Sequence, residues 1–412
     1  MRANPVLRAI TAATAMMLLA SSVVVGQTPA IDTRFPNEVS SNLVTAVLTN
    51  ALDDAALNEL VVRTARNYQE LMGAKTSAPK VQKKDSKKDV EPGGFISSDP
   101  YADTDSLTQA ALDLVGESSP ELMVISGGDW KANVGIARAN TGTTIVDLNQ
   151  PIPCLAESGQ PDLTGECTEE TAVQPGNYAV MEFAVEEGAY LAGVVAARES
   201  RGGSLGIISG SADCLECDRY VTGFINGALS VEPDIEIEVG YISDDEVGGF
   251  SDEASAKTYA EAFLEVYQPT VLMPVGRGTT MGMVEAGCEA GVKVVGAGVD
   301  ISAERPDLDR ECVMASITPD VARAVEEAMF LFSTGANPPV VTYDLQGGGV
   351  NITDEWRLSA TKRVDTNDFY AEAEIAILTD QVEACPEGCG GSFPDSFARL
   401  DEGNDGDDRE DD

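Results

Sequence analysis

Short apolar runs alternate with amphipathic stretches along most of this chain, and from residue 103 the alternation is regular. Apolar positions at helical spacing predict helices over 107–115, 186–198, 220–229, 252–267, 282–290 and 321–332. Runs rich in Val, Ile and Leu predict strands over 122–126, 144–147, 180–185, 204–209, 235–241, 271–274 and 292–295. Strand followed by helix, repeated, builds a parallel sheet covered by helices on both faces, with ligands at the carboxyl ends of the strands. Upstream, Leu43, Val44, Val47 and Leu48, then Leu57, Leu60, Val61 and Val62, predict one long helix or two short ones over 39–73.

Three segments break the pattern. Residues 151–177 read as a loop, with Pro151, Pro153, Pro161, Gly165 and Pro175. The run KVQKKDSKKD at 80–89 holds five Lys and two Asp without an aromatic, which reads as a solvated loop and not a nucleic-acid patch. Residues 401–412 carry eight acidic groups and one Arg, without the spacing of a calcium loop, and read as a disordered solubilising tail. At the other end, Arg2 and Arg8, a short apolar run over 10–20 and Ala20-Ser21-Ser22 predict a signal peptide over 1–22. No cysteine lies near that cleavage point and no run of about twenty apolar residues follows, so the expected product is secreted or periplasmic, soluble and without a lipid anchor.

Composition narrows the chemistry. The 412 residues include 27 Lys+Arg, 69 Asp+Glu and no His, a formal charge of -42. The lack of histidine removes Ser-His-Asp and Cys-His nucleophiles and His-ligated zinc or iron. The acidic balance opposes binding to nucleic acid or anionic lipid. It suits solubility in strong salt. No cofactor or metal is expected.

The eight cysteines lie beyond residue 150, and an even count in an exported chain favours disulfides. Sequence does not fix the connectivity, and local partners are expected: Cys154 with Cys167, Cys214 with Cys217, Cys288 with Cys312, and Cys385 with Cys389. A sharper alternative makes Cys214-Leu215-Glu216-Cys217 a redox dithiol, or half of a four-thiolate zinc site with Cys385 and Cys389.

Candidate ligand groups gather at predicted strand ends. Gly276-Arg277-Gly278-Thr279-Thr280-Met281-Gly282 follows one strand and opens a helix, turning backbone N–H groups toward a polar ligand. It lacks the ending of a phosphate loop, so a tight strand-to-helix turn is the simpler reading. Phe250 stands in an acidic, glycine-containing loop before a helix opened by Ser251 or Asp252, where a core aromatic is unusual. Asp300 ends another strand, either as an acceptor for ligand hydroxyls or as a cap. Asp129 and Trp130 follow Gly127-Gly128, Trp130 being a cleft residue or a packed hinge aromatic.

Seven ordered motifs between about 121 and 356 carry a resemblance. They are FAVEEGAYLAG at 183–193, GIISG at 206–210, Gly223-Phe224 with Gly227-Ala228, Phe250-Ser251-Asp252, Val275-Gly276 with Gly278 and Gly282, Gly296 with Gly298-Val299-Asp300, and Gly347-Gly348-Gly349-Val350. In this order they resemble the basic membrane protein family of ABC-transporter substrate-binding proteins, whose best-understood members bind purine nucleosides. The small residues Gly188, Ala189, Ala192 and Gly193 of its signature read as close helix packing and not as ligand contacts.

The resemblance implies an α/β, two-lobed periplasmic-binding-protein fold of type I, each lobe a parallel sheet flanked by helices. Lobe 1 is then 23–150 plus about 301–335, with a Lys-rich loop at 76–95. A Cys-containing insertion spans 151–177. Lobe 2 is 178–300 plus about 336–358, followed by a C-terminal helix and Cys pair over 359–395 and the acidic tail over 396–412. The implied function is capture of a small ligand, a purine nucleoside, by a monomer that closes by hinge motion and meets a membrane ABC permease, with no bond made or broken. Phe250 would stack on the base and Asp300 would hold the ribose. The family's D-x-S-F-N motif after the first strand resembles Asp32-Thr33-Arg34-Phe35-Pro36-Asn37, making Asp32, Phe35 and Asn37 ligand residues and 23–26 the first strand. Gly276 and Arg277 join the site, Arg277 standing where the family prefers a small residue. A cation moved to this position would preserve a family contact or accept an anionic ligand group. Two alternatives are a nucleoside-processing hydrolase using Asp129 and Asp300, and a sensory or adhesive extracellular domain.

Overall fold

The computed structural model describes residues 45–49, 55–71, 95–97, 104–127, 130–148, 154–155, 161–162, 176–212, 214–243, 246–308, 311–336, 340–353, 363–386 and 389. The chain divides into two units, 1–39 and 40–412. All described residues belong to the second.

That unit begins with β1 (Thr45–Thr49), α1 (Ala55–Leu71), β2 (Phe95–Ser97), α2 (Thr104–Ser118), β3 (Leu122–Ser126), α3 (Trp130–Ala139) and β4 (Thr144–Leu148). Two-residue strands β5 (Cys154–Leu155) and β6 (Pro161–Asp162) pair only with each other, before β7 (Tyr178–Phe183). There follow α4 (Val185–Ser200), β8 (Leu205–Ser211), α5 (Leu215–Val231), β9 (Ile237–Ser243), α6 (Glu246–Phe250), α7 (Glu253–Tyr267) and β10 (Val271–Val275). The remainder is α8 (Thr280–Glu289), β11 (Lys293–Ala297), α9 (Ile301–Glu304), β12 (Val313–Pro319), α10 (Val321–Ser333), β13 (Val340–Tyr343), β14 (Val350–Ile352) and α11 (Arg363–Leu378).

Two six-stranded sheets result. The first has the order β13-β7-β4-β3-β1-β2 and is parallel throughout. The second runs β14-β12-β11-β10-β8-β9, with only β14 antiparallel. Strands buried on both faces need near-continuous apolar runs, which β3 (LMVIS, polar only at its last residue) and β10 (VLMPV) supply. In the first sheet Val47, Val124 and Val146 face α1 and α10, whereas Leu48, Met123 and Ile145 face α2 and α3. In the second, Ile207 and Met273 pack toward α4 and α5, and Ile208 and Leu272 toward α7 and α8.

Helices α4 and α5 approach unusually closely. A Cβ at Gly227 would lie 1.9 Å from the Tyr190 carbonyl oxygen, and one at Gly193 would lie 2.1 Å from that of Phe224. The small residues of the FAVEEGAYLAG run therefore serve packing, as expected.

The chain passes between the sheets three times: from β7 into α4, from β12 into α10, and from β13 to β14. This revises the expected lobe boundaries. Residues 178–183 lie in the first sheet and not the second, 313–319 in the second and not the first, and 340–343 in the first. The first two crossovers run from a strand into a helix and the third from strand to strand, and which sheet each strand joins is a partner choice that periodicity does not encode.

Residues 45–49 form a central strand where a helix was expected, because a short apolar run buried on both faces reads alike as either. The predicted strand at 23–26 lies outside the described residues, as do the signal peptide, the Lys-rich loop and the acidic tail. Disulfides join Cys214 to Cys217, Cys288 to Cys312 and Cys385 to Cys389. Cys167 and the Cys154 side chain lie outside the described residues. With Cys214 bonded to Cys217 and Cys385 to Cys389, the shared zinc site is set aside, and burial of Cys214 and Cys217 disfavours the redox dithiol. No helix among the described residues is long and apolar enough to cross a membrane.

Candidate functional site

The carboxyl ends of β8 to β11 gather a polar cluster. After β10 the chain turns through one 3-10 turn, Arg277–Thr279, into α8. The Gly276 N–H donates to Thr280 Oγ1 at 3.1 Å, and Thr279 Oγ1 donates to the Gly249 carbonyl at 2.9 Å. The Gly276 amide expected to face a ligand is thus taken up within the turn, and a Cβ there would meet Met283 Cε at 2.2 Å. A tight turn is what this segment makes.

Arg277 has a φ of 46°, in the left-handed region that non-glycine residues rarely adopt. Its Nη2 lies 3.3 Å from Glu216 Oε2, and its Cζ lies over the Phe250 ring at 5.2 Å from the centroid. Glu216 sits inside the Cys214–Cys217 loop at the start of α5, so the disulfide restrains the carboxylate that holds Arg277.

Phe250 corrects the sequence expectation of an exposed aromatic, since its relative exposure is 1%. Helix α6 folds the ring against the end of β8, where a Cβ on Gly210 would lie 2.2 Å from Phe250 Cε1, and Arg277 covers it from β10. Asp300 caps α9 by accepting from the Ala303 N–H at 3.1 Å, the role that sequence reading set beside ligand binding. The Ser316 hydroxyl accepts from the Ile301 N–H at 3.1 Å and so ties α9 to β12.

A second cluster, which sequence reading missed, lies beside the first crossover. Arg219 on α5 donates through Nε and Nη2 to Glu186, both at 2.8 Å, and through Nη1 to Glu182 at 2.6 Å. Burial by itself lowers the pKa of this guanidinium, but Glu186 and Glu182 outweigh burial and hold it above the ordinary arginine value. Since Glu182 belongs to β7 and Glu186 to α4, Arg219 bridges the two sheets' elements. The available signal was the Glu182, Glu186, Glu187 spacing around a crossover, with Arg219 too distant in sequence to pair by eye. Next to it, Tyr220 is 2% exposed, and its hydroxyl has no hydrogen-bond partner. Burial, then Glu216, pushes its pKa well up, so it remains a neutral phenol. Its oxygen lies 4.0 Å from where a Cβ on Gly298 would stand, at the end of β11.

Glu187 Oε2 accepts from the Leu345 N–H at 2.7 Å, in the crossover between β13 and β14. Burial raises its pKa to about 7; the Leu345 N–H works against this, and Glu186 and Asp344 add to it.

Asp32, Phe35, Asn37 and Asp129 lie outside the described residues, as does the side chain of Trp130, which opens α3. Because the first described strand is β1, the segment after it, Asp54-Ala55-Ala56-Leu57-Asn58, is a second place to set the D-x-S-F-N pattern, keeping its Asp and Asn with Ala for Ser and Leu for Phe. Leu57 takes the aromatic position and is partly buried against the core, and Asn58 is 3% exposed. Among the described residues no three Cys, Asp or Glu side chains group as a metal site.

Known proteins resemble this chain in sequence and in fold. The chain is 30% identical over 221 residues to "ABC transporter nucleoside-binding protein BmpA" of Lactococcus lactis, a match covering 50% of this chain and 60% of that protein. It is 30% identical over 152 residues to "Basic membrane protein A" of Borreliella burgdorferi, covering 37% and 42%. The chain thus matches less than two thirds of either relative. An ABC transporter solute-binding protein structure from Aeropyrum pernix K1 superposes with a TM-score of 0.60 at 17% identity, covering 83% of this chain and 92% of that one. This likeness establishes the two-lobed α/β solute-binding fold. The family described as "Bmp: ABC transporter substrate-binding protein PnrA-like" matches residues 167–377, just over half of the sequence, and the chain belongs to that family.

Proposed function

We propose that this protein is exported, captures a purine nucleoside between its two lobes, and presents it to a membrane ABC permease without chemical turnover. The carrying observation is the cluster at the carboxyl ends of the second sheet, where Arg277 with Phe250, and Asp300, stand on adjacent strands in a chain whose lactococcal relative is named for nucleoside binding. Asp300 offers its second carboxylate oxygen to ribose hydroxyls while the first caps α9. Asn58 and Leu57 supply the facing contacts from the first lobe, in the place first sought at Asp32 and Phe35, and Asp129 and Trp130 are further candidate ligand residues.

Isothermal calorimetry with a panel of nucleosides, sugars and amino acids tests this. Saturable heat with purine nucleosides is expected, with no release of free base. Asp300→Asn keeps a capping side chain but loses the charged acceptor, and should weaken binding roughly tenfold or more. Heat with sugars alone would overturn the nucleoside reading, and conversion of inosine to free base would overturn simple capture.

A further inference from the structure

Tyr220 places beside the end of β11 a hydroxyl that the fold itself does not use. The residue is 2% exposed, and its oxygen is buried with no hydrogen-bond partner. Such groups are rare, because a buried hydroxyl gives up its water and here gains nothing in exchange. The ring is part of the apolar core around α4 and α5. Phenylalanine would fill the same place, so packing alone does not call for the oxygen.

The charged groups around this hydroxyl are engaged with one another. Arg219 bonds Glu186 and Glu182, and Arg277 lies beside Glu216. Burial, then Glu216, keeps the phenol neutral, with Glu186 adding to this and Arg219 and Arg277 working against it. A neutral phenol donates one hydrogen and accepts through its oxygen, which suits a ligand hydroxyl, itself both donor and acceptor. There is room for one on the side of Gly298. A Cβ built on that glycine would meet only the Tyr220 oxygen, at 4.0 Å, and Gly298 itself is partly exposed. Its φ of 89° is one that glycine adopts readily, so the space stays clear of a side chain. Two residues further along the same turn stands Asp300, which caps α9 with one carboxylate oxygen.

We propose that Tyr220 is a specificity-determining residue of this site, its hydroxyl hydrogen-bonding a ribose hydroxyl alongside Asp300 and so selecting ribonucleosides over their deoxy analogues. This rests on the nucleoside reading above and adds the part of the sugar that is read. Enclosure makes the contact selective, since a ligand without that hydroxyl leaves the phenol unpaired where solvent does not reach it.

The test is calorimetry of the wild-type protein and Tyr220→Phe with adenosine, guanosine, and the 2′-deoxy and 3′-deoxy forms of each. In the wild-type protein one of the two deoxy forms should bind roughly tenfold or more weakly than its parent. Tyr220→Phe should weaken the parent by a similar factor and bind that deoxy form as the wild type does, because the same pair is already broken. Thermal unfolding without ligand should give a midpoint equal to or above the wild-type one, since only an unpaired oxygen has been removed. Equal wild-type binding of the parent and both deoxy forms, unchanged binding of the parent by the variant, or equal weakening of parent and deoxy forms overturns this inference alone. A lowered midpoint does so too, because the hydroxyl would then have a partner within the fold. No heat with any nucleoside in the wild-type protein overturns the nucleoside reading and this inference with it.

Discussion

At the scale of single residues, the best-defined electrostatic feature is Arg219. It is almost wholly buried between Glu186 and Glu182, making bonds from 2.6 to 2.8 Å. Removing one partner of such a group strands the other charges in a poorly solvated place. Arg219→Met is expected to destabilise the fold by about 3 kcal/mol in urea unfolding, with Arg219→Lys recovering only part because the paired contact to Glu186 needs the guanidinium fork. A loss near zero would mean that these carboxylates are better solvated than they look. Asp300 and Arg277 were legible in the sequence as strand-end residues. What they touch was not, because Glu216 lies 61 positions from Arg277 and no local pattern links the two. Phe250 was misjudged for the same reason: a glycine-rich acidic loop looks exposed until Gly210 is found beneath it.

Among the elements, close packing of α4 on α5 sets the position of Arg219 and Tyr220. Gly227→Ala would drive a Cβ to 1.9 Å from the Tyr190 carbonyl oxygen and force the helices apart. The expected cost is about 1–3 kcal/mol, read as a lowered midpoint in thermal unfolding. Gly116, also helical, has nothing within 4 Å of such a Cβ, so Gly116→Ala should stabilise by about 0.5 kcal/mol through helix propensity alone. Equal effects at the two sites would refute the packing argument. Most strands and helices from 104 to 333 were legible from apolar periodicity. Residues 45–49 were not, since five consecutive buried positions carry no period. The strands β12, β13 and β14 were also missed: β13 is short and only partly buried, and β14 is antiparallel at a sheet edge.

For the molecule as a whole, the three crossovers are where motion between lobes would concentrate, and one of them contains a titrating link. Glu187 holds the Leu345 amide, and its folded pKa of about 7 lies above the ordinary 4.5. The native state therefore binds this proton more tightly than the unfolded chain does. The resulting stabilisation is complete below about pH 4.5 and is lost as pH rises through 7. Glu187→Gln, which keeps an oxygen acceptor without the charge, should flatten the decline in unfolding midpoint between pH 5 and 8; an identical slope would exclude Glu187 as its source. The charge of -42 acts in the same sense at low salt, since self-repulsion grows as carboxylates lose protons, so the comparison belongs at fixed, high ionic strength where that contribution is screened.

The sequence alone determined the alternating α/β class and the family, because apolar periodicity and ordered motifs are local properties of a chain; it suggested the three disulfide pairs seen here without fixing them. Only the tertiary structure decided which sheet each crossing strand joins, that Phe250 lies beneath Arg277, and that Arg219 ties β7 to α4. Those outcomes depend on which buried surfaces and charges meet across long separations. Such pairings are chosen by the free energy of the whole packed molecule and leave no mark on the residues one at a time.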